Sequence, residues 1–249
     1  MAGMVAYDLA DGPEPLRCFR DLVAQAPDDL GAVANLRLAP PLAEIPTHLR
    51  GRPIVSVTVC HAGPVERGEA ALRPLRAFGR PILDTIAPRP YLAHQQLFDP
   101  AFPHGRRYYW KSWKLPPLTD QMIAVIVEHA ARIGSPFSAV PIFALGGAVA
   151  RVDEDAGAYP NRAAAHDINI VAAWEADDPE PARHRGWVRR FWSALQPYAC
   201  GVYVNFLSDE PAGSVEAAYG KAKHRRLVEL KRRYDPDNFF HRNHNIPPS

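Results

Sequence analysis

Cysteine is scarce, three residues in 249. Cys18, Cys60 and Cys200 stand far apart, which excludes a disulfide framework and the paired spacing of a zinc knuckle. Cys60 and Cys200 lie inside apolar runs and read as buried free thiols. A dominant charge is also missing: 29 Lys and Arg against 27 Asp and Glu leave a formal net charge of +2. That gives no support to nucleic acid or an anionic membrane as partner. The longest near-apolar stretch, residues 139–150, is interrupted by Pro141, whereas a helix that crosses a bilayer needs about 20 apolar residues. Met1 to Tyr7 lack the basic and apolar segments of a signal peptide, so the chain reads as cytoplasmic. No repeat, low-complexity tract or long linker divides it.

Proline is plentiful, 26 residues, about twice the usual share of about 5%, and predicts many short elements joined by fixed turns. The overall balance, 47% hydrophobic and 22% charged, is that of a folded globular protein. Leu16, Phe19, Leu22 and Val23 share one helical face, so the chain is expected to open with a helix that Pro27 stops. Residues 32–38 and 54–60 read as strands. Glu66 to Phe78 has a helical pattern that Pro74 should kink or divide, with Gly79 placed to end it at positive φ.

Arg107 to Trp113 reads as an aromatic strand. Thr119 can cap a helix over 120–133, with Gly134 beyond it. Residues 140–152 read as a strand broken at Gly146-Gly147, 167–174 and 202–207 as strands, and 185–195 and 215–233 as helices. The last helix carries Lys221, Lys223, Arg225, Arg226, Lys231, Arg232 and Arg233 around an apolar stripe of Leu227, Val228 and Leu230, the pattern of an amphipathic helix with a charged outer face. The short crossovers suit antiparallel neighbours, so the fold class is α+β, an antiparallel β-sheet with helices packed on one face.

Strand alternation assigns side chains to faces. In 167–174, Ile168, Ile170, Ala172 and Trp174 share one face, and Asp167 and Asn169 take the other. In 202–207, Val202, Val204 and Phe206 oppose Tyr203 and Asn205. Each strand thus offers a polar pair that is either a solvated face or a ligand-facing surface. Tyr203 and Asp167 are candidate acid/base groups. His94, His104, His166, His184 and His224 stand alone and read as surface or satisfied core residues, and His241 with His244 lies in a Pro- and Asn-rich tail, so no metal site is assigned. Gly146-Gly147 lacks the spacing of a phosphate-cradling loop.

The C-terminal run Tyr234-Asp-Pro-Asp-Asn-Phe-Phe-His-Arg-Asn-His-Asn-Ile-Pro247 closely resembles the ending of berberine bridge enzyme-like, FAD-linked oxidoreductases. Further segments match in order: Leu72-Arg-Pro-Leu-Arg-Ala-Phe-Gly79, Tyr109-Trp-Lys-Ser112, Leu145-Gly-Gly-Ala148, Gly201-Val-Tyr-Val-Asn-Phe206 and Ala218-Tyr-Gly220. The resemblance implies the substrate-binding half of such an enzyme, residues 1–233, followed by the family's C-terminal tail, 234–249. It also implies that the polar sheet face roofs the flavin. FAD would be held only with a flavin domain that this sequence does not contain, so a flavin-bearing segment or subunit is the expected partner, together with a small-molecule substrate.

By the same resemblance Tyr203 and Asn205, with Asn243 and Asn245 of the tail, are the residues facing substrate and cofactor. The family's Pro-His-Arg segment with its following acid corresponds to Tyr159-Pro-Asn-Arg-Ala163. Here Asn161 and Ala163 replace the His and the acid, and Asp167 is the substitute that its strand and face suggest. The implied activity is oxidation of a hydroxylated or secondary-metabolite-like substrate by hydride transfer to flavin. A reading of a different class is a non-catalytic binding or remnant domain that keeps the fold.

Overall fold

The computed structural model describes every residue except 103, 209, 211, 212 and 249. Seven strands, β1 (Ala2–Asp8), β2 (Leu30–Leu38), β3 (Pro53–His61), β4 (Leu83–Asp84), β5 (Arg107–Leu115), β6 (Ala139–Ala144) and β7 (His166–Trp174), form one sheet in the order β4-β1-β3-β2-β6-β7-β5. Every pairing is antiparallel. The helices are α1 (Glu14–Ala24), α2 (Val65–Arg76), α3 (Tyr91–Gln95), α4 (Asp120–Ala130), α5 (Gly147–Arg151), α6 (Pro181–Leu195), α7 (Ser214–Tyr219) and α8 (Lys221–Tyr234).

The register lines up Val5, Val57, Ala34, Ile142, Ile168 and Trp113 across six strands on one face. Onto this face pack Leu16 and Phe19 of α1, Leu72 and Leu75 of α2, Met122, Ile123 and Ile126 of α4, and Trp187, Val188, Phe191 and Leu195 of α6. Each such side chain contributes about 1.5–3 kcal/mol on burial. These four helices therefore lie on one side of the sheet, whereas α7 packs in a separate small cluster with Val204 and Leu207. Reciprocal ring contacts lock α6 onto β5. Trp113 and Trp192 stack at 4.7 Å, and each indole N–H donates to the other segment's backbone, at Trp192 O (2.9 Å) and Ser112 O (3.1 Å).

Several elements depart from the sequence-based expectation. The chain opens with β1, not a helix. Ala, Gly and Met carry no strong strand signature, yet pairing on both sides with β3 and β4 buries Ala2, Val5, Ala6 and Tyr7. The strand expected over 140–152 ends at Ala144, and α5 follows it because Gly146 and Gly147 take φ of 132° and 53°. Pro74 does not divide α2, which continues through it to Arg76. The helix expected over 120–133 is shorter, ending at Ala130, although Thr119 caps it as expected with Oγ1 accepting from Met122 N at 3.2 Å. Gly220, at φ 79°, splits the basic helix into α7 and α8. Its apolar stripe is only half covered, with Leu227 and Val228 half-buried and Leu230 51% exposed.

Candidate active site

The face of the sheet opposite α1, α2, α4 and α6 carries the candidate residues of β7. Asp167 and Asn169 point there, opposite Ile168 and Ile170, as the alternation of β7 requires. The register sets Lys114 of β5 and Phe143 of β6 on either side of Asp167, and Ser112 beside Asn169. Asp167 is buried, and its Oδ1 has no hydrogen-bond partner. Burial pushes its carboxyl up to about 7, against the downward pull of the Lys114 ammonium. Lys114 is entirely buried. Its Nζ donates to Pro160 O at 2.6 Å and lies 3.8 Å from the centroid of the Tyr159 ring, while burial lowers its own pKa.

Tyr203 arrives by a different route from the one predicted. Lys114 N donates to Gly201 O at 2.8 Å and Cys200 N donates to Lys114 O at 2.9 Å, a single bridge on the free edge of β5. Beyond it the strand expected over 202–207 does not form. Tyr203 is extended, and Val204–Phe206 turns as one 3-10 turn closed by Phe206 N to Tyr203 O at 2.9 Å. Such a turn brings residues three apart together. Phe206, expected opposite Tyr203, instead meets its ring edge-on at 5.4 Å and stacks near Phe143 at 6.4 Å. Asn205 does accompany Tyr203, its Nδ2 donating to the Tyr203 hydroxyl at 2.8 Å. The Tyr203 ring lies 6.1 Å from that of Tyr159 and 6.0 Å from Lys114 Nζ. Cys200, read as a buried thiol, belongs to an exposed residue because this segment runs along the open edge; Cys18 and Cys60 are half-buried.

The segment before β7 closes the cluster. Asn161 takes φ 57°, a left-handed conformation that Asn tolerates better than most residues. Glu154 accepts from the backbone N–H of Asn161 and of Arg162, at 3.0 and 2.9 Å. Lys223 of α8, itself buried, fixes the same loop through Gly157 O at 3.2 Å. Asn161 lies so close to Gly201 that a Cβ there would stand 2.3 Å from Asn161 Nδ2, so a larger residue at 201 would have to displace the Asn161 amide. Ala163 is exposed and supplies no acid.

The structure thus brings Tyr203, Asn205 and Asp167 into one cluster built around Lys114 and Tyr159, neither of which the sequence reading selected. The signal for Lys114 was present: continuing the β5 alternation two residues past Ser112 puts Lys114 on the polar face. The tail residues Asn243 and Asn245 make no hydrogen bond to that cluster among the described residues. Asn243 is exposed at φ 57°, and Asn245 is half-buried with Oδ1 sealed and unpartnered. Asp235 accepts from Phe239 N and Phe240 N at 2.7 and 3.0 Å, and this turn leaves both phenylalanine rings 76% exposed.

Two of the histidines pack within the fold. His166 faces the core beside Phe19 and the Pro116 carbonyl, and His184 stacks on Trp174 and bonds Asp178 at 3.0 Å. No group of three metal-ligating side chains occurs among the described residues, and no helix is long and apolar enough to cross a membrane.

Residues 202–247, which include Tyr203, Asn205 and the whole tail motif, match the family described as berberine and berberine like. An FAD-linked oxidoreductase of Dictyostelium discoideum is 30% identical over 196 residues, 78% of this chain and 42% of its own length. The C-terminal part of the chain thus carries a berberine-like domain, and over most of its length the chain is similar to an FAD-linked oxidoreductase. A monolignol oxidoreductase, berberine bridge enzyme-like 13 of Arabidopsis thaliana, is 30% identical over 115 residues, 41% of this chain and 22% of its own length. Among solved structures, 6-hydroxy-D-nicotine oxidase of Arthrobacter nicotinovorans superposes on all of this chain and 55% of its own with a TM-score of 0.81 at 21% identity, a likeness of fold. The chain spans less than half the length of these two curated relatives.

Proposed function

We propose that this chain is the substrate-facing part of an FAD-dependent oxidoreductase that oxidises a hydroxylated small molecule, FAD being held mainly by a flavin-binding segment or subunit. The observation that carries the reading is Asp167, a buried carboxyl with a proton affinity near neutral pH on the sheet face opposite α1, α2, α4 and α6, in a chain similar to FAD-linked oxidoreductases. The residues present fit the cofactor only at its edge. The sealed Oδ1 of Asn245 is an acceptor in need of an N–H or O–H donor, and the exposed Asn243 beside it could supply a further amide. Gly146-Gly147 leads into a five-residue helix and makes no diphosphate cradle.

When bound, FAD supplies the hydride acceptor. This chain's part is then the proton. Asp167 takes it from the substrate hydroxyl as the carbon-bound hydrogen leaves with its electron pair, and a group whose pKa lies near the working pH does this best. The Tyr203 hydroxyl, oriented by Asn205 Nδ2, binds the substrate oxygen. The absence of an acid at Ala163 favours a second reading, a binding domain without catalysis. The test is flavin reduction by substrate in the complete flavoprotein. Tyr203→Phe and Asp167→Asn should each slow it about 10²-fold with FAD content unchanged, whereas wild-type rates in both would leave the binding reading.

A further inference from the structure

We propose that Lys114 is the positioning residue of this site, acting through Asp167: its buried ammonium keeps the neighbouring carboxyl available as a proton acceptor. The proposal rests on the reading of Asp167 given above. A fully buried lysine is costly unless its charge is compensated, and Lys114 has no exposure at all. An ammonium offers three donors. One goes to Pro160 O at 2.6 Å, and the charge lies over the Tyr159 ring at 3.8 Å. No ion pair to a carboxylate within 4.0 Å is formed by Nζ among the described residues. Its charge is therefore compensated by a ring face, a carbonyl and the field of Asp167, its cross-strand partner. Directly opposed side chains of an antiparallel pair have Cβ atoms about 4.5–5.5 Å apart, close enough for one charge to govern the other's protonation.

The groups around Asp167 single out Lys114 as the one that matters. Phe143 on the β6 side is apolar. Tyr159, from the loop before β7, and Cys200, from the segment on the β5 edge, both feel the Asp167 charge, and burial pushes phenol and thiol up, so both stay neutral near pH 7. Glu154 and Arg162 of the same loop act on Lys114 and Tyr159 with opposite signs. Lys114 alone opposes the burial of the Asp167 carboxylate. The Pro160 and Tyr159 contacts hold the ammonium in place to do so. Without that charge, burial acts unopposed and Asp167 keeps its proton at neutral pH, which removes the acceptor without altering any group that touches substrate.

The test is a carboxyl 13C NMR titration of Asp167 in the 249-residue chain, comparing wild type with Lys114→Met. The expected result is a midpoint about one pH unit or more higher in the variant; an unchanged midpoint in a folded Lys114→Met chain overturns the proposal. Should Lys114→Met fail to fold, the coupling is read from the other side, by 15N titration of Lys114 Nζ in wild type and Asp167→Asn. Loss of the Lys114 proton at lower pH in Asp167→Asn supports the proposal, and an unchanged Lys114 midpoint overturns it. Neither titration needs flavin or substrate, so a failure here is distinct from a failure of the oxidative reading, which the flavin-reduction rates of Asp167→Asn decide.

Discussion

Replacing Asp167 by Asn should stabilise the fold at alkaline pH and leave it little changed in acid. The carboxyl is raised from 3.8 in an unperturbed chain to about 7 in the fold by burial. A group with a raised folded pKa favours the fold fully only below its unfolded pKa, and that contribution is lost as pH rises through the folded value. A difference of about three units at about 1.36 kcal/mol each gives about 4 kcal/mol once the group is ionised in both states, of which about 2.5 kcal/mol accrues between about pH 5 and pH 8. Asn keeps the shape and removes this term, but it deprives Lys114 of its facing charge, so the full amount is an upper bound. Urea unfolding of wild type and Asp167→Asn at pH 5 and pH 8 checks it: the variant's advantage should grow with pH by about 1–2.5 kcal/mol. A difference that stays constant, or shrinks, would refute the claim that a buried, partly ionised carboxylate sits on this face.

Gly201→Ala should cost about 1–3 kcal/mol by overpacking, because its Cβ would lie 2.3 Å from Asn161 Nδ2. Asn161→Gly, which suits φ 57°, should remove most of that cost in urea unfolding, and an equal cost in both backgrounds would assign the strain elsewhere. Phe191, fully buried between Trp187 and His129 at ring distances of 6.1 and 5.0 Å, should cost about 3–5 kcal/mol when cut to Ala, read as a fall in the denaturation midpoint with unchanged slope. Asp178 is held down at about 2, first by its hydrogen bond with His184. A depressed carboxylate stabilises above its unfolded pKa and loses that effect as pH falls through its folded value, so Asp178→Asn should flatten the decline of thermal stability between about pH 4 and pH 2. A decline as steep as the wild type's would exclude Asp178 as its source.

The sequence by itself determined the parts of this protein whose cause is local. The alternation of β-branched and aromatic residues is enough to place β2, β3, β5 and β7 to within two residues of their observed ends, and Thr119 identifies the start of α4 because a cap is a contact three residues long. The same period of two put Asp167 and Asn169 on the face away from the core. The C-terminal run carries the family resemblance in its own residues, with no need of the fold around it.

Tertiary structure decided the rest, and in each case the deciding partner is distant in sequence. β1 is a strand because β3 and β4 pair with it, not because Ala2, Gly3 and Met4 favour strand. Residues 202–207 have a strand's pattern, but the edge of β5 offers them one bridge at Gly201 and no further ladder, so the chain turns at Val204–Phe206. This turn, not alternation, sets Tyr203 against Asn205. Lys114 at the end of a strand looks like a solvated charge. It becomes the buried centre of the site because a carbonyl 46 residues later and a cysteine 86 residues later fold over it, closures whose geometry no local period encodes.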